Sequence, residues 1–284
     1  MDNLIEPLVS VLMTCYNREK YISIAIESVL KSTYKNLELI IVDDCSQDRT
    51  VEIIKKYLQF DARIKLFIND KNLGDYPNRN KAASLATGKY LKYVDSDDYI
   101  YPTGLQTLVD SMESFPEAGF GLCSLKPDRD KPFPFVLMPK ESYEYHFFGP
   151  GLFHKGPLSS IFLKKAFETI GGFNNDRMIS DTDMWHRMAL KFPVVLIQDG
   201  IVWQRRHAQQ ELTDQHKYII KGTEIKWKYL LSSECPLSKS QILEIKKMRI
   251  KRYFSFVLSG MKNFDLQRFK IYFKCLLITA RIKI

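Results

Sequence analysis

The first hundred residues alternate between apolar segments of strand length and segments with apolar residues at helical spacing. Continuous apolar runs are typical of strands that are buried on both faces. Four such runs are present, at residues 8–14, 37–42, 63–68 and 90–94. Strands that alternate with helices predict an α/β fold, with a mostly parallel sheet covered by helices on both faces.

Polar residues follow three of these apolar runs at the point where each strand is expected to end. In a parallel sheet, ligands bind outside the carboxyl ends of the strands. The polar residues at these ends are far apart in sequence: Thr14, Tyr16, Asn17, Asp43, Asp44, Asp95, Asp97 and Asp98. We therefore expect them to gather at one edge of the sheet and to form a binding site there.

The segment Asp95-Ser96-Asp97-Asp98 is the most acidic of these strand ends. Carboxylates this close repel one another unless a cation or hydrogen-bond donors compensate. A hard divalent ion that bridges a carboxylate and diphosphate oxygens would do so. A solvated acidic turn is the alternative, and the position after a buried strand favours the metal.

Other polar residues leave two interpretations open. Asp44 could accept hydrogen bonds from a base or ribose, or it could act on a helix N-terminus. Arg79 lies near the expected diphosphate, although a solvated arginine is the simpler interpretation. Asp181 and Asp183 begin a predicted helix, where acidic residues are common. One of them could instead be a general base.

The remaining elements are predicted in less detail. In the first hundred residues, helices are expected at 19–31, from Gln47 with Ser46 as its cap, and at 78–86. Further helices are expected after Pro102 to about 115, at 164–170 with Gly171-Gly172 as its end, and at 180–191, with strands near 120–123, 194–197 and 201–204. Residues 126–157 are predicted to be irregular. From His207 onward the pattern indicates helices with breaks near Pro236 and Asn263. Arg205, Arg206 and His207 could clamp a phosphate or form a solvated basic patch.

Composition and charge indicate where in the cell the chain is expected. The five cysteines are scattered and lack metal-ligand spacing, which is typical of a reducing cytosol. No apolar run approaches the roughly 18–20 residues of a spanning helix, and the N-terminus does not resemble a signal peptide. The net charge of +9 is concentrated toward the C-terminus. There, aromatic and basic residues suit a helix on an anionic membrane surface or, as we favour slightly, one packed on its own domain.

Three segments together resemble the large inverting glycosyltransferase family 2, whose members adopt the GT-A fold. The segments are VSVLMTCYNREKYISIAIESVLKSTYKNLELIIVDDCSQDRT, NLGDYPNRNKAASLATGKYLKYVDSDDYIYP and GGFNNDRMISDTDMWHRMA. The first two are highly specific in order and spacing, and the third is moderately so. The resemblance extends over about residues 8–190.

The resemblance implies a role for each matching residue. Asp181 would be the catalytic base and Asp97 the metal ligand, with Mn²⁺ or Mg²⁺ as the cofactor. The implied donor-binding residues are Thr14, Tyr16, Asn17, Asp44, Arg79, Asp95, Ser96, Arg205 and His207. Within this set, Thr14, Tyr16 and Asn17 would frame the nucleoside and Asp44 would contact the base, which we expect to be uracil.

The same resemblance implies a function and a division of the chain. Residues 1–206 would form the GT-A domain, with a donor half to about residue 100 and an acceptor half beyond it. Residues 207–284 would be a helical extension. The enzyme would transfer a hexosyl or N-acetylhexosaminyl group from a nucleotide sugar to a glycan or a lipid-linked acceptor in bacterial surface polysaccharide synthesis. We expect it in the cytoplasm, and secondarily at the inner face of the cell membrane.

Two departures from the family pattern and two rival classes remain. Ser180 replaces the acidic residue that usually precedes the base, so the choice between Asp181 and Asp183 is open, and we favour Asp181. Gln204 stands where the family tends to have Tyr. A sugar-nucleotide pyrophosphorylase would carry a Gly-rich phosphate loop after the first strand, which TCYNREKY lacks. A non-catalytic module that binds nucleic acid or a membrane is the other alternative.

Overall fold

The structure is a computed structural model that describes residues 6–128, 130–177, 179–206 and 216–284. Its strands are β1 (Val9–Cys15), β2 (Leu37–Asp43), β3 (Ile64–Ile68), β4 (Tyr90–Tyr93), β5 (Tyr99–Ile100), β6 (Phe120–Leu125), β7 (Phe135–Leu137), β8 (Ser160–Leu163), β9 (Val194–Gln198) and β10 (Val202–Trp203). Its helices are α1 (Ile22–Leu30), α2 (Thr50–Leu58), α3 (Asp75–Ser84), α4 (Gly104–Glu113), α5 (Pro139–Phe148), α6 (Lys164–Thr169), α7 (Ser180–Lys191), α8 (His216–Leu230), α9 (Lys239–Lys262) and α10 (Leu266–Arg281).

Eight strands form the central sheet, in the order β3-β2-β1-β4-β8-β6-β9-β7. Strands β1 to β4 are parallel to one another, and β1 pairs with β2 on one side and β4 on the other. Their carboxyl ends therefore meet at one edge, as the sequence predicts. The predicted α/β fold with a mostly parallel sheet is confirmed.

The second half of the sheet mixes directions. Strand β8 pairs antiparallel with both β4 and β6, whereas β6 and β9 are parallel. A separate two-stranded ribbon joins β5 to β10, with Ile100 opposite Val202 and Tyr99 opposite Trp203. Because β5 follows the acidic segment directly, this ribbon brings the residues after β10 next to that segment.

Each face of the sheet has its own hydrophobic core. On one face, α1 and α4 pack against alternate residues of β1 and β2. The other face carries α3, α5, α6 and α7, together with part of α8 and α9. In this second core, the Trp185 ring of α7 stacks between Phe120 at 6.0 Å and Phe162 at 5.5 Å. These contacts fix α7 against the sheet, which matters because α7 begins beside the predicted site.

Three helix starts differ from the sequence prediction, and one of them is that of α1, which begins at Ile22 and not at Glu19. The prediction that Ser46 caps α2 is wrong, because the helix begins at Thr50. The Ser46 hydroxyl instead donates to Asp43 at 2.5 Å and accepts from the backbone N–H of Asn17 at 2.9 Å. Helix α3 begins at Asp75, three residues earlier than expected, after Gly74 with φ of +86°.

The segment 126–157 is more ordered than predicted, because it contains β7 and α5. Helix α5 starts at Pro139, a residue that suits the first helical position because its missing N–H needs no partner there. The Glu141 carboxylate accepts from the Met138 backbone N–H at 2.8 Å. The buried face of α5 includes Ser142 and His146. The sequence therefore has only a weak apolar periodicity at this helix, and the helix was not predicted.

From His216 onward the described residues form three helices, and the predicted breaks near Pro236 and Asn263 fall between them. Helix α8 packs against α7, and α9 and α10 form an antiparallel hairpin beside α8. Across the described ranges, no helix is both long and apolar enough to cross a bilayer. The domain division at residue 206 stays a prediction.

Candidate functional site

A cavity of about 780 Å³ opens at the carboxyl edge of β1, β2 and β4. The predicted site residues that line it are Thr14, Tyr16, Asp44, Arg79, Asp95, Ser96 and Asp97. Asn17, Arg205 and Asp181 lie beside it, as described below. His207 falls outside the described residues. The fold thus brings together side chains that lie far apart in the sequence, from Thr14 to Arg205.

Arg79 is buried at the base of the cavity, so the simpler interpretation of a solvated arginine is wrong. Its side chain is 9% exposed. The guanidinium lies 2.7 Å from an oxygen of Asp75 and 2.7 Å from an oxygen of Asp95, and it packs over the Tyr93 ring. Its Nη1 atom has no hydrogen-bond partner among the described residues. As a lining residue of the cavity, Arg79 supplies a fixed positive charge there.

Two arginines lie against the acidic segment. The Arg18 guanidinium is 3.3 Å from a carboxylate oxygen of Asp97. Arg205 donates from its side chain to the Asp97 carbonyl at 2.9 Å, and its backbone N–H donates to the Asp98 carboxylate at 2.8 Å. The β5–β10 ribbon positions this second arginine, although it is more than a hundred residues away in sequence.

Burial and mutual repulsion act on the carboxylates of the acidic segment. Burial, followed by the charge of Asp95, raises the pKa of Asp98 to about 8, with Asp97 adding to the effect. The predicted repulsion among these carboxylates is therefore present in the folded chain.

The carboxylates of the acidic segment fit a metal ion that is held partly by the protein and partly by substrate phosphates. In the part of the chain that the structure describes, no three His, Cys, Asp or Glu side chains are arranged to hold a metal on their own. Mg²⁺ in phosphate-transfer sites is usually held by one or two carboxylates and the substrate phosphates. Asp97 at the cavity wall, with Asp95 beside it, matches that incomplete donor set.

Asp44 is buried and organises the loop between β3 and α3. Its carboxylate accepts from the backbone N–H of Leu73 at 2.8 Å and of Gly74 at 2.9 Å, and from the Asn69 amide at 2.7 Å. These partners belong to the loop and not to the N-terminus of α2. Asp44 therefore shapes the cavity wall on which Asn72 and Gly74 lie.

Tyr16 and Asn17 follow β1 but differ in position. Tyr16 is 43% exposed and lines the cavity, where its ring is accessible for stacking. Asn17 adopts a φ of +52°, and its side-chain oxygen accepts from the Gln47 backbone N–H at 2.8 Å. The Asn17 side chain thus links two loops of the site, and its contact with a nucleoside stays a prediction.

Asp181 lies in the first turn of α7, next to the cavity. Burial raises the pKa of its carboxyl to about 6, and the cavity residues Arg79 and Asp75 are close enough for their charges to act on it. Its carboxylate accepts from the Thr182 backbone N–H at 2.6 Å. An acid with a pKa near neutrality is suited to accept a proton.

Asp183 is occupied by structural contacts. One oxygen accepts from the Tyr229 hydroxyl at 2.7 Å, and the other lies 2.7 Å from the Arg187 guanidinium. Only 4% of the residue is exposed. Asp183 is one of the two candidate bases, and its hydrogen bond to Tyr229 connects α7 to α8.

Sequence reasoning missed several residues of the site. Arg18, Asp75, Asn175 and Arg177 also line the cavity. Arg18 follows a strand end, so the rule that found Asn17 could have found it. The other three lie on a helix start and on the loop before α7, where no strand end marks them.

A pair of hydrogen bonds joins the two sides of the site. The Asn80 side chain of α3 donates to the Phe173 carbonyl at 2.8 Å and accepts from the Phe173 N–H at 3.0 Å. A Cβ atom on Gly172, which has a φ of +66°, would lie 2.7 Å from the Asn80 side-chain oxygen. The glycine pair predicted to end α6 therefore also permits this contact.

Comparison with known proteins gives a family. The model of the family described as glycosyl transferase family 2 matches residues 10–171. An uncharacterized glycosyltransferase of Haemophilus influenzae is 40% identical over 106 residues, which are 37% of this chain and 42% of that protein. TuaG of Bacillus subtilis, a putative teichuronic acid biosynthesis glycosyltransferase, is 43% identical over 93 residues, covering 33% of this chain and 37% of TuaG. The matched segments thus span less than half of these relatives.

A longer match and two solved structures extend the comparison. Glycosyltransferase GlyG of Streptococcus pneumoniae is 27% identical over 218 residues, 71% of each chain. The S. aureus TarS 1–349 structure in complex with UDP has a TM-score of 0.66 at 21% identity, and covers 91% of this chain and 74% of its own. The mannosyltransferase PcManGT of Pyrobaculum calidifontis, in complex with GDP-Man and Mn²⁺, has a TM-score of 0.64 at 16% identity, covering 99% of this chain and 77% of its own.

These likenesses confirm the expected GT-A fold. The region that the family model matches also contains most of the residues that line the cavity. Residues 10–171 include β1 to β4 and the acidic segment that lines the site. That region is more than half of the 284 residues. The chain therefore belongs to glycosyl transferase family 2.

Proposed function

We propose that this chain is an inverting, metal-dependent glycosyltransferase that uses a nucleotide-sugar donor. The observation that carries the proposal is the arrangement around one cavity. An acidic segment, a buried arginine with an unused donor atom and a carboxyl with a pKa near 6 lie together at the sheet edge. A metal-bound diphosphate would use the acidic segment and the positive charge of the arginine, and an acceptor hydroxyl would use the carboxyl.

The proposed reaction is a single displacement at the anomeric carbon. Asp181 accepts the proton of the acceptor hydroxyl as the acceptor oxygen forms its bond to that carbon. The bond from the anomeric carbon to the diphosphate oxygen breaks, and the nucleoside diphosphate leaves with the electron pair. Attack from the face opposite the leaving group inverts the configuration, so the chain needs no nucleophile of its own.

Positive groups stabilise the leaving diphosphate in this proposal. Arg79 and Arg18, which line the cavity, and Arg205, on the acidic segment, are the protein groups that we assign to the diphosphate. A divalent ion such as Mn²⁺ or Mg²⁺ would be held by Asp97 and would act as a Lewis acid on the diphosphate. The complex of PcManGT with Mn²⁺ supports the same class of ion for this chain.

The relatives also guide the choice of substrates. TarS structures contain UDP or UDP-GlcNAc, which supports a UDP-sugar donor carrying a hexosyl or N-acetylhexosaminyl group. TuaG is a putative enzyme of teichuronic acid biosynthesis, which supports a glycan or lipid-linked acceptor in surface polysaccharide synthesis. We place the reaction in the cytoplasm, at the inner face of the cell membrane.

The role of Asp181 is tested by a matched pair of variants. Asp181→Asn should lower donor hydrolysis by about 10²–10⁴-fold, the usual contribution of a general base. Donor affinity, measured by calorimetry, should stay close to that of the wild type, because Asp181 does not hold the donor. Asp183→Asn should instead lower the melting temperature, because it loses the contacts with Tyr229 and Arg187.

Wild-type hydrolysis by Asp181→Asn would refute the assignment. So would a loss of hydrolysis confined to a fully folded Asp183→Asn variant. Lack of donor binding by the wild type, in the presence of metal, would refute the transferase proposal as a whole.

A further inference from the structure

A second, smaller cavity lies among helices α5, α8 and α9, and we call it the helix cavity. Its volume is about 10 Å³. Apolar side chains form much of its wall, among them Phe147, Trp227 and Ile245. Two cationic side chains also line it, Lys226 from α8 and Arg249 from α9. Its lining residues differ from those of the cavity at the sheet edge.

Both cations of the helix cavity are partly buried, and neither is paired within the part of the chain that the structure describes. No hydrogen bond or salt bridge there involves the Lys226 ammonium or the Arg249 guanidinium. Each of these groups carries several N–H donors and accepts no hydrogen bond. Their donors are therefore available to a ligand that supplies acceptor oxygens.

The charges around the helix cavity are positive as well. Burial, followed by the charges of Arg249 and Arg252, lowers the pKa of Lys226 to about 8. Burial lowers the pKa of Arg249, and the charge of Arg252 adds to this effect. Beside an apolar wall, the attraction between an anion and these cations is screened less than it is in bulk water. A bound anion would also offset the repulsion among the cations.

Size and charge together define the class of ligand. A space of about 10 Å³ admits one water-sized group, so one oxygen atom fits and a whole organic molecule does not. Two converging cations favour an anion with more than one negative charge. A phosphate group carries such a charge near neutral pH, and a guanidinium can donate to two of its oxygens at once.

We propose that the helix cavity binds a phosphate group, with one oxygen inside the cavity and the others between Lys226 and Arg249. Free phosphate and the phosphate of a small monoester share this chemistry. Because α8 and α9 each contribute one cation, the bound phosphate would connect the two helices and stabilise the fold. The site is independent of the proposed function, since it shares no lining residue with the cavity at the sheet edge.

The test is titration of the full chain with inorganic phosphate, followed by calorimetry and by thermal unfolding. Donor and divalent metal are left out, and sodium chloride keeps the ionic strength constant, because salt screens exposed charges. We expect saturating phosphate to raise the melting temperature by about 2–4 °C. A parallel titration with glycerol 3-phosphate identifies the source: tighter binding assigns the site to a monoester, and equal or weaker binding assigns it to free phosphate.

Two single variants locate the bound phosphate. Lys226→Gln and Arg249→Gln should each lower the affinity for phosphate by about 10-fold or more, the usual effect of losing a hydrogen bond from a charged donor. The matched control is Lys251→Gln, because Lys251 is an exposed cation of the same helix that does not line the cavity. The control should keep the wild-type affinity. A cooperative unfolding transition shows that each variant is folded.

Three results would overturn the proposal. The first is a wild-type melting temperature that does not respond to phosphate. The second is wild-type affinity in Lys226→Gln or Arg249→Gln, which would assign the phosphate to another site such as the arginines at the sheet edge. The third is an equal loss of affinity in Lys251→Gln, which would indicate a general effect of charge. Donor hydrolysis is assayed separately, so its failure leaves this test unaffected.

Discussion

At the residue scale, the protonation of Asp181 gives the reaction a pH dependence. Burial raises the pKa of this carboxyl to about 6. The ionised carboxylate is the base, and it becomes protonated as the pH falls below this value. We therefore predict that kcat for donor hydrolysis falls about tenfold per pH unit below roughly pH 6 and levels off above it.

The measurement is kcat at saturating donor and metal between about pH 5 and pH 8, with the donor affinity followed over the same range. Asp183→Asn serves as the control, because it should keep the inflection near pH 6 if Asp181 is the base. A profile that stays flat through this range would contradict the role of Asp181 as the titrating base.

Individual residues were predictable where a strand end marks them. Asp44, Asp95 and Asp97 follow apolar runs, and the parallel sheet carries them to one edge. The burial of Arg79 was not predictable, because it depends on Tyr93 and on Asp95, which come from another element. Residues contributed by distant loops lack a local signal of this kind.

At the element scale, α8 holds the helix that carries the proposed base. The Tyr229 hydroxyl of α8 donates to the Asp183 carboxylate at 2.7 Å, and the Tyr229 ring stacks on His186. Asp183 lies two residues after Asp181 in α7. Tyr229→Phe should lower the free energy of unfolding by about 1–3 kcal/mol, the value of a buried hydrogen bond to a charged group. It should also lower kcat by roughly 10-fold, since a shift of about 1 Å in a catalytic group can cost about 10²-fold.

Donor affinity distinguishes positioning from general damage in this experiment. Tyr229→Phe should leave the donor dissociation constant unchanged, because Tyr229 does not line the cavity. Tyr218→Phe is the matched control in the same helix, since Tyr218 packs on the small cluster with Ile179. Equal loss of kcat in both variants would contradict a specific positioning role for Tyr229.

Elements with a strong periodicity were predicted well. Helix α7 occupies the expected residues Ser180–Lys191, and β1, β2 and β4 differ by only one residue at an end. Helix α5 was missed because Ser142 and His146 lie on its buried face. The start of α2 was misplaced because Ser46 bonds to Asp43 and Asn17, contacts that no local sequence pattern reveals.

At the scale of the whole molecule, the C-terminal helices share a core with the transferase region. Trp227 and Leu230 of α8 belong to the same hydrophobic cluster as Trp185 and Met188 of α7. The sequence favoured a C-terminal helix packed on its own domain but did not predict which residues make the contacts, because contacts between distant segments leave no periodic signal. The order of strands and helices in the first hundred residues, in contrast, was enough to predict the parallel half of the sheet.

The central claim is that the cavity binds a nucleotide sugar with the help of a divalent ion. The most direct test measures binding and hydrolysis of UDP-, GDP- and dTDP-sugars by the full chain, with Mn²⁺, Mg²⁺ or EDTA, and repeats the series with Asp97→Ala. We predict hydrolysis of a UDP-sugar that EDTA abolishes and that Asp97→Ala weakens. Absence of binding to every donor by folded protein in the presence of metal would contradict the claim.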